Sequence, residues 1–123
     1  MRNFVFLDNP HSYNPHNFFI AHLSRFSSKD ELFRQLNVKL NFPTYFGFNW
    51  DALSDCLRDF NWIEQQRIAL IHDVLPELKE QEMIIYLQIL FDAIGDWEKD
   101  KNHYLEVVFP IQSKEIVDKF MLR

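Results

Sequence analysis

The chain has 123 residues, 47% of them hydrophobic and 16% aromatic, with 13 phenylalanines. That length holds one domain with one core, and that composition excludes disorder. A net charge of −5, from 18 acidic against 13 basic residues, argues against nucleic acid as a partner and in favour of a basic protein.

A single cysteine, Cys56, cannot form an internal disulfide, which fits a reducing compartment. The apolar run at Phe4–Leu7 is too short for a signal-peptide core or a membrane span, and no later run reaches membrane length. The expectation is a soluble, cytoplasmic protein without a membrane partner.

Phe4–Leu7 is β-prone and closed by Asp8, Asn9 and Pro10. After the polar segment containing Pro15, a second β-type run spans Phe18–Ala21. Two such runs around a turn-rich link suggest a loose hairpin, with one run in the main sheet and the other at an edge. Ser28 then stands as a helix N-cap with Glu31 in capping-box spacing. Leu32, Phe33, Leu36 and Leu40 recur at helical period, so a helix is predicted from about Lys29 to Leu40, stopped by Pro43.

A second helix starts at Asn49, a good N-cap, and runs to about Phe60. Arg67–Ile71 has the near-continuous apolar pattern of a buried strand. Past Pro76, a long apolar helix is predicted over about Gln81–Ile94, with Gly95 as its C-cap. Tyr104–Phe109 reads as the last strand, stopped by Pro110, and Ser113 caps a short final helix. This order implies an α/β domain with a small, mainly parallel sheet packed by helices.

Placed on a helix at ~100° per residue, Trp50, Leu53, Leu57 and Phe60 gather on one side. Asp51, Asp55 and Asp59 gather on the other. Like charges at i,i+4 cost a helix ~0.2–0.5 kcal/mol per pair, and Arg58 is the only basic residue there to offset them. Most acidic stripes are ordinary solvated faces. This one adjoins Tyr45, Phe46 and Phe48, crowded around Gly47 in a segment expected at the surface. Aromatics beside unpaired carboxylates suit a partner rich in Arg and Lys. Gly47 would allow a positive φ or a close approach of the chain.

The stretch Pro43-Thr44-Tyr45-Phe46-Gly47-Phe48-Asn49-Trp50-Asp51-Ala52-Leu53-Ser54-Asp55-Cys56-Leu57 resembles the signature of the barstar family, intracellular protein inhibitors of ribonucleases. The likeness is close from about Phe18 to Leu57, and beyond that it rests on element order. It implies one barstar-like domain over 1–123, with a three-stranded, mainly parallel sheet. Residues 1–16 would then be an N-terminal addition bearing the extra strand or hairpin. It also implies a 1:1 complex with a basic ribonuclease toxin, formed by a protein that is a monomer when free. In that complex Asp55 would be the central anchor, with Asp51 and Tyr45 as supporting contacts and Phe46 and Trp50 alongside. Gly47 and Asn49 would hold the loop, and Asp92 is the candidate for a further acid on the long helix. Ser54, Phe48 and Arg58 depart from the usual pattern at positions that bear on which ribonuclease is met.

Two other readings compete. A hydrolase or metal enzyme could be built on Asp51, Asp55 and Asp92 with His72 and Asp73, but nothing in the sequence brings the last two to the acidic helix. Cys56 lies close to the buried face, where a thiolate is disfavoured. His11, His16 and His22 have no metal-ligand spacing and are expected on a polar loop. No cofactor, metal or catalytic residue is expected. The second alternative is a barstar-like interaction module that regulates a basic partner other than a nuclease.

Overall fold

Five consecutive buried residues, Ile68 to His72, mark the centre of the molecule in the computed structural model, which describes residues 3–121. A strand buried on both faces needs neighbours on both sides and cover above and below. Among the described residues the sheet has four strands, β1 (Phe4–Leu7), β2 (Phe18–Leu23), β3 (Arg67–His72) and β4 (Tyr104–Pro110), in the order β1-β4-β3-β2. Every pairing is parallel. Ile68 sits opposite Phe19 on one side and Leu105 on the other, and Phe4 sits opposite Val107 at the far edge.

The expected three-stranded sheet therefore has a fourth strand, and the first two runs do not form a hairpin. β1 and β2 lie at opposite edges, so each pairs with an inner strand instead. Parallel strands need a crossover rather than a tight turn. Residues 8–17 supply it, passing over β4 and β3 through a 3-10 turn at Pro10–Ser12. Tyr13 packs there with Val5, Leu7, Phe18 and Ile20 around Ala69, Ile71 and Val108.

Four helices, α1 (Lys29–Lys39), α2 (Trp50–Leu57), α3 (Glu80–Asp100) and α4 (Lys114–Met121), contribute their buried residues to the opposite face. Strand alternation assigns the two faces: Ile68, Leu70, Leu105, Val107 and Phe109 meet the helices, while Ala69, Ile71 and Val108 meet the crossover.

The ends of α1 follow local rules. Glu31 N donates to Ser28 Oγ at 3.2 Å, and the Glu31 carboxylate reaches back to Ser27 N at 3.0 Å. The helix is stopped by Asn41, left-handed at φ 53°, before Pro43 is reached. Phe42 N donates to Asn37 O and Asn41 N to Val38 O, a Schellman closure.

The end of α3 departs from expectation. The helix runs on through Gly95 to Asp100, and the left-handed cap is Lys101 at φ 68°. A helical glycine costs ~0.5–1 kcal/mol relative to alanine. Burying Trp97 outweighs that, because its ring stacks on Phe60 and its indole donates to Leu57 O at 2.8 Å. Ser113, expected to cap α4, is buried at the end of a 3-10 turn, Ile111–Ser113, that feeds directly into the helix.

Candidate partner-binding surface

The loop between α1 and α2 is tied down by its aromatics. Phe46 N donates to Pro43 O at 3.0 Å, closing a turn. Phe46 is buried, edge-on to Phe33 and Phe42, which corrects the expectation of a surface contact. It anchors the loop from below and leaves Tyr45, 64% exposed, and Phe48, 48% exposed, above it.

The backbone strain sits one residue away from where it was expected. Neither glycine has a positive φ, whereas Phe48 is left-handed at φ 54°, a conformation costing a non-glycine residue on the order of 1 kcal/mol. Gly47 serves close approach. A Cβ there would lie 3.2 Å from Asn49 Nδ2, the atom that donates to Gly47 O, while Asn49 Oδ1 accepts from Ala52 N at 2.8 Å. One asparagine side chain thus closes the loop and caps α2.

From that cap α2 buries Leu53, Cys56 and Leu57, and half-buried Trp50 meets Phe33 edge-on with ring centroids 4.9 Å apart. Cys56 is a core residue, and loss of solvent together with the nearby Asp59 and Asp55 pushes its thiol up to about 11. The outward side carries Asp51 and Asp55, both exposed.

α2 is shorter than expected. It ends at Leu57, and Phe60 turns left-handed at φ 50° so that its ring can pack against Trp62 and Trp97. Asp59 therefore belongs to the turn rather than to a helical stripe of three. That placement gives it a role the sequence did not suggest. Its carboxylate accepts from Tyr45 Oη at 3.1 Å and from Asn61 N at 3.3 Å, fixing the exposed tyrosine over the end of α2. Loss of solvent and this hydrogen bond raise the pKa of Tyr45.

α2 and α3 run side by side in the same direction, Trp50 near Tyr86 and Leu57 bonded to Trp97. Arg58 spans them. Its guanidinium lies 3.3 Å from Asp96 and 3.7 Å from Asp55, and its Nε donates to Ser54 O. One cation is shared between two carboxylates, so Asp55, with 76% of its side chain exposed, keeps most of its charge for solvent. Asp92 is exposed one turn before Asp96 on α3 and accepts from Gln88 Nε2 at 2.9 Å. The bridge from Arg58 to Asp96 brings that acidic edge of α3 up to the end of α2.

His72 takes no part in this surface. It is fully buried, and its Nδ1 lies 3.0 Å from Val108 O while its Nε2 lies 2.7 Å from Tyr86 Oη. A carbonyl only accepts, so Nδ1 carries the proton and Tyr86 donates to Nε2. Burial pushes the imidazole down to about 4. With both nitrogens engaged in the core, His72 holds the sheet to α3. Asp73 bonds His11 and His22 on the other side of the sheet. The carboxylates of α2 and the His72–Asp73 pair therefore do not meet.

No helix among the described residues is long and apolar enough to cross a membrane. Neither curated proteins nor solved structures give a match. A family model does, described as Barstar (barnase inhibitor) and covering residues 16–109. The matched residues run from the start of β2 to the end of β4 and take in the Asn49 cap, the loop turned around Phe46 and the outward aspartates. By that match over most of its length, the chain belongs to the barstar family.

Proposed function

We propose that the chain is an immunity protein, a cytoplasmic inhibitor that forms a 1:1 complex with a basic ribonuclease toxin and closes its active site. It acts by binding rather than turnover. Asp55 is the anchor, standing in for an RNA phosphate against the nuclease's cationic groups. Asp51 and Tyr45 flank it, Asn49, Gly47 and Phe46 shape the loop beneath, and Trp50 braces the helix. Asp92 extends the acidic surface along α3. Residues 1–16 are an N-terminal addition to the family domain.

The observation that carries the reading is an exposed pair of aspartates, Asp51 and Asp55, of which only Asp55 is near a cation, an Arg58 guanidinium it shares with Asp96, beside an exposed tyrosine tethered to Asp59. A carboxylate opposed only by a shared, exposed guanidinium gives up little when it desolvates against a cation of another protein. The barnase–barstar pair is itself a standard instance of charge-steered association, so steering is an expectation inherited from the family.

The test mixes the chain with a barnase-type ribonuclease, and with any small basic exported protein encoded beside it. The expected result is loss of RNA cleavage at equimolar inhibitor, with association slowed by added salt. Full nuclease activity in the presence of excess chain would sink the inhibitor reading and favour regulation of a basic partner that is not a nuclease.

A further inference from the structure

Three metal-ligating side chains meet at the C-terminal edge of the sheet, away from the acidic surface. His22 stands near the end of β2, Asp73 directly follows β3, and His11 lies in the 3-10 turn of the crossover. His22 and His11 are 51 and 62 positions from Asp73 in the chain, so no local spacing pattern announces the group. In space, His11 Nδ1 is 3.2 Å from Asp73 Oδ2, and His22 Nδ1 is 3.2 Å from Asp73 Oδ1. One ligand atom from each residue lies within 4.8 Å of the other two.

The backbone holds all three in place. Leu23 pairs with His72 in the sheet, and Asp73 N donates to Leu23 O at 3.0 Å, so register sets His22 beside Asp73. Buried Pro10 and the bond from Tyr13 N to Pro10 O, 3.0 Å, fix the turn that carries His11. A cleft of about 420 Å³ opens beside them, bordered by Asp8, Asn9 and Pro110 as well as by His11 and Asp73.

We propose that His11, His22 and Asp73 bind a divalent transition-metal ion of the Zn²⁺ class. Two imidazole nitrogens with one carboxylate oxygen are a ligand set suited to Zn²⁺ and unsuited to Mg²⁺ or Ca²⁺. Ligands ~2.0–2.1 Å from a tetrahedral ion stand about 3.4 Å from one another. Each imidazole already lies 3.2 Å from an Asp73 oxygen, though not the same one, and a set of one atom per residue spans no more than 4.8 Å, so small side-chain rotations complete the site. Three protein ligands leave a fourth position for water or an added ligand. The ion joins the N-terminal crossover to β2 and β3, and His11 lies outside the residues that the family model covers. The competing arrangement is a metal-free one in which each imidazole donates to Asp73.

The experiment titrates chelator-treated full-length protein with Zn²⁺ by calorimetry, with Mg²⁺ in parallel and Co²⁺ as an optical probe. One Zn²⁺ per chain is expected, with a rise in Tm, a visible Co²⁺ band of tetrahedral intensity and no response to Mg²⁺. His11→Ala, which removes an imidazole whose side chain is 80% exposed, retains the wild-type circular dichroism and weakens Zn²⁺ binding about tenfold or more. His22→Gln does the same. Absence of Zn²⁺ binding by the wild type, or wild-type affinity in both variants, overturns the proposal in favour of the metal-free arrangement or a surface site elsewhere.

Discussion

The ionisable groups inside the sheet and those on α2 obey opposite rules. Inside, Glu106 is 7% exposed and accepts from Tyr13 Oη at 2.5 Å and from Tyr104 Oη at 3.2 Å. Burial and that carboxylate push the Tyr13 hydroxyl up to about 12. His72 likewise has a partner for each nitrogen, and among the described residues every buried side-chain polar atom has a hydrogen-bond partner. Outside, Asp51 is left to solvent, and Asp55 has only the Arg58 guanidinium at 3.7 Å, which it shares with Asp96. Groups satisfied within the chain specify the fold, because an unpaired polar atom in the interior is costly. Groups left unsatisfied at the surface cost the fold little and remain available to a partner.

Breaking the inner set has the largest effect on stability. The folded pKa of His72 is depressed to about 4 from 6.5, so the unfolded chain takes up a proton first as pH falls. The stabilisation is fully present above pH 6.5 and is lost progressively down to about pH 4, amounting to about 3 kcal/mol. Urea unfolding across pH 4–8 measures that slope, and His72→Gln flattens it.

Asp55→Ala tests the outer set. It is expected to cost at least ~2 kcal/mol of nuclease binding while moving stability by less than ~0.5 kcal/mol. Calorimetry of the complex beside thermal unfolding of the free chain separates the two quantities. A variant that binds as well as wild type removes Asp55 from the anchor role. Tyr13→Phe returns to the interior and leaves the Glu106 carboxylate with one donor fewer, at a cost of roughly 1–2 kcal/mol in chemical denaturation and none in nuclease binding. Gly95→Ala has the smallest effect and the opposite sign. A Cβ there meets nothing within 4 Å, so the helix gains ~0.5–1 kcal/mol and Tm rises slightly.

The elements that were legible from sequence are those set by neighbouring residues. Ser28 and Glu31 announce α1, Asn49 announces α2, and the apolar run at Arg67 announces the central strand, because a cap or a buried run is written within a few positions. The acidic surface was legible for the same reason, since four residues along a helix bring Asp51 and Asp55 to one side. Where expectation failed, a distant residue had intervened. Gly95 does not end its helix because Trp97 finds Phe60 and the Leu57 carbonyl. Phe46 is no surface contact because Phe33 and Phe42 receive it, and Asp59 leaves the helix because Phe60 turns inward.

Local sequence alone therefore determined the starts of α1 and α2, the inner strands and the outward aspartates of α2. Only the tertiary structure decided that β1 and β2 take opposite edges, that Tyr45 is tethered to Asp59, and that His11, His22 and Asp73 come together. Strand order and the meeting of residues 51 or 62 positions apart depend on which surfaces bury one another. That choice is made by the whole core at once, and no short stretch of chain encodes it.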